Sequence, residues 1–225
     1  MKPMTEVHLA ILRRHMVEVI ALRADLMSEE IGKATLGERV LDAMRRVRRH
    51  LFVPPELAAI AYQDTPLPIG FDKTVSQPFI CALMTDLLDP QPHEAVLEIG
   101  TGLGYQAAVL AELARQVWTV EMVEEFASHA EARLSQLGYG NVAVRVGDGT
   151  RGWLEHAPFD KILVTAAAEV PPPTLLEQLA PGGRMVLPLG PGEIQHLTVL
   201  DKADDGQIRA RTVIPVRFGI LETVI

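Results

Sequence analysis

A glycine-rich segment in the middle of the chain contains the residue types whose chemical purpose is clearest. It reads Glu98-Ile99-Gly100-Thr101-Gly102-Leu103-Gly104-Tyr105. The segment follows an apolar run typical of a strand and opens a run typical of a helix. Glycines at such a junction permit a tight turn and let a ligand approach the backbone closely. The segment therefore predicts a loop that binds a small molecule.

The spacing of the glycines distinguishes two classes of ligand. A nicotinamide or flavin site uses Gly-x-Gly-x-x-Gly, so that the pyrophosphate rests on the helix N-terminus. Here the third glycine comes one position early, and Tyr105 occupies the expected place. The observed Gly-x-Gly-x-Gly, with Glu98 two residues before it, is typical of sites that bind S-adenosylmethionine. That ligand has no phosphate but carries a sulfonium and an ammonium cation, which a nearby carboxylate favours.

Two further acids follow strand-like runs and extend the predicted cofactor site. Glu121 ends the second such run, where a carboxylate can accept the two ribose hydroxyls, and Asp148 follows the third, where it can accept from the adenine amino group. Each acid alone is more often a solvated surface residue, whereas their order along the chain favours one site. The expected cofactor-binding residues are Gln77, Glu98, Gly100, Thr101, Gly102, Leu103, Gly104, Glu121, Met122, Asp148 and Gly149.

The second part of the chain predicts the sheet that would position these residues. Strand-like runs at 95–99, 117–121, 142–146, 161–165 and 184–188 alternate with helical patterns at 105–113, 124–137 and 175–179. This alternation is typical of a doubly wound, mostly parallel α/β sheet. Strand-like runs at 196–201 and 207–216 flank Asp204-Asp205-Gly206, a hairpin turn signal, and predict a C-terminal antiparallel hairpin.

The first part of the chain is predicted to be helical, with one irregular stretch. Apolar spacing indicates helices at 5–27, 36–47 and 78–88. Between them, 61–78 has little periodicity and is interpreted as a long ordered loop, a feature that is often functional. We therefore expect residues 1–90 to supply N-terminal helices and a substrate loop, packed on a cofactor-binding core at 91–225 as one compact unit.

Composition excludes several classes of protein. A net charge of −8 disfavours nucleic acid as a partner, and the basic run 45–50 is interpreted as a solvated helix face. The one cysteine, Cys81, lies in an apolar run that predicts a buried thiol in a reducing compartment. Charges interrupt the N-terminal segment, which predicts neither a signal peptide nor a membrane span. The histidines are scattered, so no metal is expected.

Several stretches together resemble one family. They are Arg49-His50-Leu51-Phe52-Val53-Pro54, Ala61-Tyr62-Gln63-Asp64-Thr65-Pro66-Leu67-Pro68-Ile69-Gly70, Thr74-Val75-Ser76-Gln77-Pro78, Val96-Leu97-Glu98-Ile99-Gly100-Thr101-Gly102-Leu103-Gly104-Tyr105-Gln106, Gly147-Asp148-Gly149, Ala157-Pro158-Phe159-Asp160 and Gln178-Leu179-Ala180-Pro181-Gly182-Gly183. Over residues 36–221 the chain resembles the protein-L-isoaspartate O-methyltransferases. The resemblance implies a Rossmann-like methyltransferase fold, S-adenosylmethionine as cofactor and S-adenosylhomocysteine as product. It also implies an isoaspartyl α-carboxylate as methyl acceptor and Ser76 as the active-site serine.

These residues suit such a reaction. A carboxylate whose pKa is near ~4 is already ionised at neutral pH and needs no strong general base. Ser76 can orient it by donating a hydrogen bond and need not act as a covalent nucleophile. Ser76 also has a structural interpretation, as the N-cap of the helix that follows. Asp64 could bind substrate amides or set a turn, and the turn is the preferred interpretation.

Departures from the family pattern leave alternatives open. Leu103 replaces a frequent serine, Arg48 replaces a frequent proline, and the edge at 216–221 differs from the usual Val-x-Phe-Val-Pro-Leu. One alternative is a carboxylate methyltransferase for one dedicated peptide or small molecule. Another is a non-catalytic S-adenosylmethionine-binding module. The main expectation is an enzyme of the cytoplasm that repairs isoaspartyl proteins and peptides, with no nucleic-acid or membrane partner, as a monomer or weak homo-oligomer.

Overall fold

A computed structural model describes residues 4–223 of the chain. Its centre is a seven-stranded sheet with the strands β3 (Ala95–Ile99), β4 (Gln116–Glu121), β5 (Val142–Val146), β6 (Phe159–Val164), β7 (Leu179–Leu189), β8 (Gln195–Lys202) and β9 (Ile208–Val216). Their order across the sheet is β5-β4-β3-β6-β7-β8-β9. The strands from β5 to β7 pair in parallel, whereas β8 and β9 add an antiparallel hairpin. The predicted fold class is confirmed.

Seven α-helices surround this sheet in the described part of the chain. They are α1 (Glu6–Leu26), α2 (Ser28–Ile31), α3 (Glu38–Arg46), α4 (Pro78–Leu88), α5 (Tyr105–Ala111), α6 (Glu124–Gln136) and α7 (Pro173–Gln178). Short 3₁₀ turns occupy Arg49–Phe52, Pro55–Ile60, Gly149–Arg151 and Leu154–His156. None of the helices at 4–223 is long and apolar enough to cross a membrane.

The central strand β3 is buried on both faces, because helices cover the sheet on both sides. Its alternating side chains point to two different clusters. Val96 contributes to the cluster shared with the N-terminal helices, and Leu97 and Ile99 contribute to the cluster on the opposite face. Glu98 points to the first of these faces and is fully buried, which places a carboxylate inside an otherwise apolar layer.

The N-terminal helices pack on the sheet and share its core. Met16 and Ile20 of α1, Met44 of α3 and Phe79 of α4 are buried in the same cluster as Val96. Burial of this apolar surface stabilises α1 against the rest of the molecule. The described residues before position 91 therefore have no apolar core separate from that of the sheet.

The long loop predicted at 61–78 contains a hairpin that the sequence did not predict. Strands β1 (Leu67–Gly70) and β2 (Lys73–Val75) pair antiparallel. Phe71 and Asp72 form the turn with φ of 49° and 55°, in a region that residues other than glycine rarely adopt. The turn therefore carries no glycine signal of the kind that marks Asp204-Asp205-Gly206.

Candidate active site

A cavity of about 500 Å³ opens at the carboxyl ends of the parallel strands. Its volume is in the range typical of sites for small molecules and cofactors. The lining comes from both parts of the chain. The contributing residues include Arg23, Ile69, Lys73, Ser76, Gln77, Gly100, Gly102, Glu121, Met122, Gly149, Thr165, Phe218 and Leu221. Six of the expected cofactor residues, together with Ser76, thus share one cavity.

The glycine loop lies close against the end of β6. Gly100 has φ of 94°, and a Cβ there would be 2.3 Å from the hydroxyl oxygen of Thr165. That hydroxyl donates to the carbonyl oxygens of Ile99 and Gly100 at 3.0 and 2.8 Å. A side chain at position 100 would therefore displace Thr165. The requirement for glycine here is both conformational and steric.

Glu121 presents its carboxylate at the cavity wall, where β4 ends. Its Oε2 accepts from the backbone N–H of Gly102 at 2.8 Å, and its Oε1 accepts from that of Val123 at 3.0 Å. Hydrogen bonds to an ionised carboxylate are stronger than neutral ones. The two contacts fix the orientation of the carboxylate and tie β4 to the glycine loop.

Glu98 is buried beneath the loop and does not line the cavity. The Thr119 hydroxyl donates to its Oε2 at 2.5 Å and also lies 2.6 Å from the Thr101 hydroxyl. The other carboxylate oxygen of Glu98, Oε1, has no hydrogen-bond partner within residues 4–223. Burial raises the pKa of Glu98 from its ordinary 4.5 to about 8, the Thr119 hydrogen bond lowers it, and the charge of Glu121 raises it further. A cation placed above the loop would favour the ionised form.

The other predicted cofactor residues shape the loops around the cavity. Asp148 accepts from the backbone N–H and the hydroxyl of Thr150, at 2.9 and 2.7 Å, which fixes the turn that carries the cavity-lining Gly149. Thr101, Leu103 and Gly104 are buried residues of the glycine loop. The apolar side chain of Leu103 is buried in the core that the sheet shares with the N-terminal helices.

Ser76 lies at the cavity between β2 and α4 and is half-buried. Its hydroxyl has no hydrogen-bond partner among the described residues, and it does not cap α4. The N-cap position belongs to Gln77, and Asp64 accepts from the Phe79 N–H at 2.9 Å from across the loop. The interpretation of Ser76 as the helix N-cap is therefore wrong, and its hydroxyl remains available to a ligand in the cavity.

The carboxylate of Asp64 accepts hydrogen bonds from three donors. It accepts from Gln77 Nε2 at 2.8 Å and from Arg23 of α1 at 2.7 Å, in addition to the Phe79 N–H. Three donors satisfy this carboxylate and hold Gln77 in place beside Ser76. Asp64 is thus engaged by the chain itself, which agrees with a structural role.

Arg49 holds the backbone of Ser76 from behind. The side chain is fully buried. Its Nε donates to the Ala61 carbonyl at 2.8 Å, its Nη2 donates to the Ser76 carbonyl at 2.7 Å, and its guanidinium lies 4.6 Å from the centroid of the Tyr105 ring. The interpretation of 45–50 as a solvated face is wrong for Arg49, because its guanidinium is buried and donates to two backbone carbonyls. The exposed neighbour Arg48 fits that interpretation.

Cys81, five residues after Ser76, is buried in α4. Burial raises the pKa of its thiol to about 11, although Arg49 nearby lowers it. The residue is therefore a neutral thiol at physiological pH and is not a nucleophile.

Sequence reasoning did not predict several residues of the cavity wall. Arg23 and Met27 come from α1 and the turn after it, and Lys73 comes from the β1–β2 hairpin. Lys73 pairs with Glu222 at 2.5 Å, and the Phe71 ring meets the Phe126 ring edge-on with centroids 5.3 Å apart. Apolar periodicity predicted α1, but its spacing could not show which residues would reach the carboxyl edge of the sheet.

The C-terminal segment closes one side of the cavity. After β9 it runs beside the end of β6, where Ala167 N–H donates to the Gly219 carbonyl at 2.8 Å and Leu221 N–H donates to the Ala167 carbonyl at 2.7 Å. These bonds bring Phe218, Ile220 and Leu221 to the wall. The edge at which the sequence departs from the family pattern is therefore part of the cavity.

A family profile described as protein-L-isoaspartate(D-aspartate) O-methyltransferase matches residues 22–223. The chain belongs to this family. A protein-L-isoaspartate O-methyltransferase 1 from Polaromonas sp. (strain JS666 / ATCC BAA-500) is 52% identical over 219 residues, covering 97% of this chain and 93% of that protein. A protein-L-isoaspartate O-methyltransferase from Anaeromyxobacter dehalogenans (strain 2CP-C) is 56% identical over 195 residues, covering 85% and 93%.

Solved structures of the family have the same fold. A protein-L-isoaspartate O-methyltransferase superposes with a TM-score of 0.78 at 26% identity, over 92% of this chain and 65% of that one. A Plasmodium falciparum structure assigned to the same enzyme, in complex with S-adenosyl-L-homocysteine, superposes with a TM-score of 0.77 at 21% identity, over 93% and 98%. This protein is thus an S-adenosylmethionine-dependent methyltransferase of the isoaspartate repair family, as the resemblance implied.

Proposed function

We propose that Ser76 and the cavity around it direct methyl transfer to the free α-carboxylate of L-isoaspartyl residues in damaged proteins and peptides. The observation that carries this assignment is the Ser76 hydroxyl, which opens to the same cavity as the glycine loop and has no hydrogen-bond partner among the described residues. A hydroxyl in this position can donate to an acceptor carboxylate in the cavity. The reaction then depends on alignment and needs no strong base.

The residues that would hold the cofactor are those of the loops at the carboxyl edge. Glu121 would accept the ribose hydroxyls, because its carboxylate is already oriented by two backbone N–H groups. Asp148 and Gly149 would contact the adenine end, and Met122 would border it. Gly100, Thr101, Gly102, Leu103 and Gly104 would shape the loop, and Gln77 would lie between cofactor and acceptor. When bound, S-adenosylmethionine supplies an electrophilic methyl group on a sulfonium.

Glu98 would influence the bound cofactor through the glycine loop and would not contact it directly. Its orphaned Oε1 and raised pKa are the features expected of a carboxylate that ionises fully only when a cation binds close by. The Thr119 hydroxyl keeps this carboxylate oriented toward the loop. The carboxylate that favours the cofactor's cation would then lie in the protein interior, beneath the loop.

Apolar residues of the wall would remove water from the acceptor. Ile69, Ile80, Ile214 and Phe218 line the same cavity as Ser76. An ionised carboxylate that loses its water shell to fixed donors is better aligned for in-line attack. Arg49 and Asp64 support this arrangement, since they fix the backbone of Ser76 and the side chain of Gln77.

Methylation would initiate repair, because attack on the carbonyl of the methyl ester can expel methanol, whereas an ionised carboxylate resists attack and has no comparable leaving group. Attack by the neighbouring backbone nitrogen then gives a succinimide, and hydrolysis returns part of it to normal aspartate. The substrates of this activity are isoaspartyl proteins and peptides in the cytoplasm. Neither nucleic acid nor membrane is required as a partner.

The test is transfer of labelled methyl from S-adenosylmethionine to a matched pair of peptides, with isoaspartate or aspartate at one position. We expect base-labile label only in the isoaspartyl peptide. Label in neither peptide, with cofactor binding intact, would contradict general repair.

A second candidate is a carboxylate methyltransferase for one dedicated peptide or small molecule. It is favoured by the C-terminal segment, which borders the cavity and departs from the family pattern at 216–221. A panel of unrelated isoaspartyl peptides separates the two, because a repair enzyme methylates most of them and a dedicated enzyme methylates few.

A further inference from the structure

The outer face of α1 exposes large apolar side chains that nothing among residues 4–223 covers. Val7, Ile11, Leu22 and Leu26 are 69%, 55%, 60% and 74% exposed. They are four of the eleven exposed large hydrophobic residues in the described chain, so such residues concentrate on this one helix. The opposite face is buried in the core through Leu9, Met16, Val17, Ile20 and Ala24. Apolar stripes on both faces are unusual for a helix at the surface of a monomer.

The exposed residues form two short rows at helical spacing. At 3.6 residues per turn, all four fall within about 100° of the helix circumference. One row is Val7, Ile11 and His15, and the other is Glu18, Leu22 and Leu26. Residues four apart on a helix lie in line along one ridge. Each row thus has two apolar side chains at its outer end and one ionisable side chain near the helix centre.

The second row repeats the first in reverse order, with a carboxylate where the first has an imidazole. We propose that α1 pairs antiparallel with α1 of a second copy of this chain, about a two-fold axis between residues 16 and 17. In this register Val7 faces Leu26 of the partner subunit, and Ile11 faces Leu22 of the partner subunit. His15 faces Glu18 of the partner subunit. A two-fold contact requires this self-complementarity, because each pairing occurs twice.

Polar residues beside the stripe fit the same register. His8 and Asp25 are both exposed and flank the apolar ends of the two rows, and the antiparallel pairing places one against the other across the interface. A parallel pairing would instead set Glu18 against the same residue of the partner subunit and His15 against its own copy. Like groups at an interface disfavour association, so the pairing of each imidazole with a carboxylate favours the antiparallel arrangement.

The size of the face sets the strength of the contact. Helix α1 has 21 residues, which corresponds to a length of roughly 30 Å. A single helix pair of this length is at or below the low end of stable interfaces, about 1,200 Å² in total. The dimer is therefore weak and reversible. Its edge lies next to the cavity, since Met27 follows Leu26 directly and lines the wall.

Sedimentation velocity over a range of protein concentrations tests the association. The wild-type chain should show a reversible monomer–dimer equilibrium, and Ile11→Glu should weaken it by at least about tenfold, because the change enters the interface twice. Thermal unfolding of the variant checks that the monomer is intact. A wild-type chain that stays monomeric at all concentrations overturns the proposal. So does a dimer that Ile11→Glu leaves unchanged, because another surface or partner would then be responsible.

Cysteine crosslinking tests the register. Ile11→Cys and Leu22→Cys, mixed as separate proteins under mild oxidation, should form a disulfide-linked heterodimer. Ile11→Cys alone should not crosslink, because its two copies would lie about 16 Å apart and a disulfide needs Cα atoms within about 7 Å. Cys81 is buried and does not compete. Crosslinking of Ile11→Cys with itself, and not with Leu22→Cys, would show parallel pairing and overturn the proposal.

Discussion

At the scale of single residues, Ser76 is the side chain whose role is easiest to separate from folding. Its hydroxyl borders the cavity, and α4 is capped by Asp64. Ser76→Ala should therefore leave the melting temperature unchanged. It should lower kcat/KM for an isoaspartyl peptide by about 10- to 100-fold, the effect of losing one hydrogen bond to a charged acceptor. Methyl-transfer kinetics and thermal unfolding measure the two effects, and Ser135→Ala, at an exposed site on α6, is the control.

A fall in melting temperature with normal kinetics would instead assign Ser76 a structural role. The sequence predicted both roles, since a serine two residues before Pro78 has the spacing of a helix cap. It could not predict that a carboxylate twelve residues earlier would reach the first turn of α4. Contacts of this kind depend on how the loop folds, and local spacing does not encode that.

Glu98 makes the stability of the ligand-free protein depend on pH. Burial raises its pKa to about 8, from an ordinary 4.5. Between these values the folded state holds a proton that the unfolded state releases, so the free energy of unfolding falls as the pH rises. Glu98→Gln removes the titrating group, and with it this fall in the free energy of unfolding, and keeps an oxygen that can accept from Thr119. We expect the variant to gain stability over the wild type progressively from pH 5 to pH 8.5, measured by urea unfolding.

Stability curves that stay parallel across that pH range would show that Glu98 is ionised in the folded protein. The sequence identified Glu98 as a cofactor residue from its spacing to the glycines. It did not predict that the carboxylate would be buried below the loop, because a strand residue that points into an apolar layer looks the same in sequence as one at the strand end.

At the scale of elements, the segment between α3 and α4 is held by Arg49. Its guanidinium bonds the Ala61 and Ser76 carbonyls and stacks on Tyr105. A lysine cannot reproduce this planar fork. Arg49→Lys should destabilise the fold by about 2 kcal/mol, the scale of one buried charged hydrogen bond, and should lower kcat while the Kd of the cofactor stays close to wild type. Urea unfolding, peptide kinetics and cofactor titration measure these three effects.

Arg48→Lys is the matched control for Arg49→Lys, because Arg48 is the exposed neighbour in the same basic run. Equal effects of the two substitutions would contradict the positioning role. The sequence could not separate the two arginines, because five of the six residues at 45–50 are basic or histidine and helical periodicity ends at α3.

The regular elements were predicted far better than the irregular ones. The bounds of β3, β5 and α4 were predicted to the residue, since alternation and flanking turn residues mark them. The β1–β2 hairpin was missed, because Pro68 interrupts the strand pattern and the Phe71–Asp72 turn lacks glycine. Strand β7 begins at Leu179 and is longer than the predicted run at 184–188, because its pairing with β6 shifts register and continues on both sides of the shift.

At the scale of the whole molecule, we expect the chain to unfold as one cooperative unit. The core that contains Met16 of α1 also contains Val96 of β3 and Val186 of β7. Both tryptophans, Trp118 and Trp153, lie in the part of the chain after residue 91. Tryptophan fluorescence therefore reports the unfolding of the α/β core alone, whereas far-ultraviolet circular dichroism also reports the N-terminal helices.

Met16→Ala tests whether the two parts unfold together. Met16 is 1% exposed, so its truncation should cost roughly 2–5 kcal/mol and lower the melting temperature by roughly 2–4 °C for each kcal/mol. If the molecule is one unit, the fluorescence transition shifts with the circular dichroism transition, although Met16 lies on a helix without tryptophan. Met185→Ala in β7 is the reciprocal control and should also shift both. An early circular dichroism transition that leaves the fluorescence transition of Met16→Ala in place would instead make residues 1–90 an independent domain, because local unfolding of α1 would then be possible without loss of the sheet.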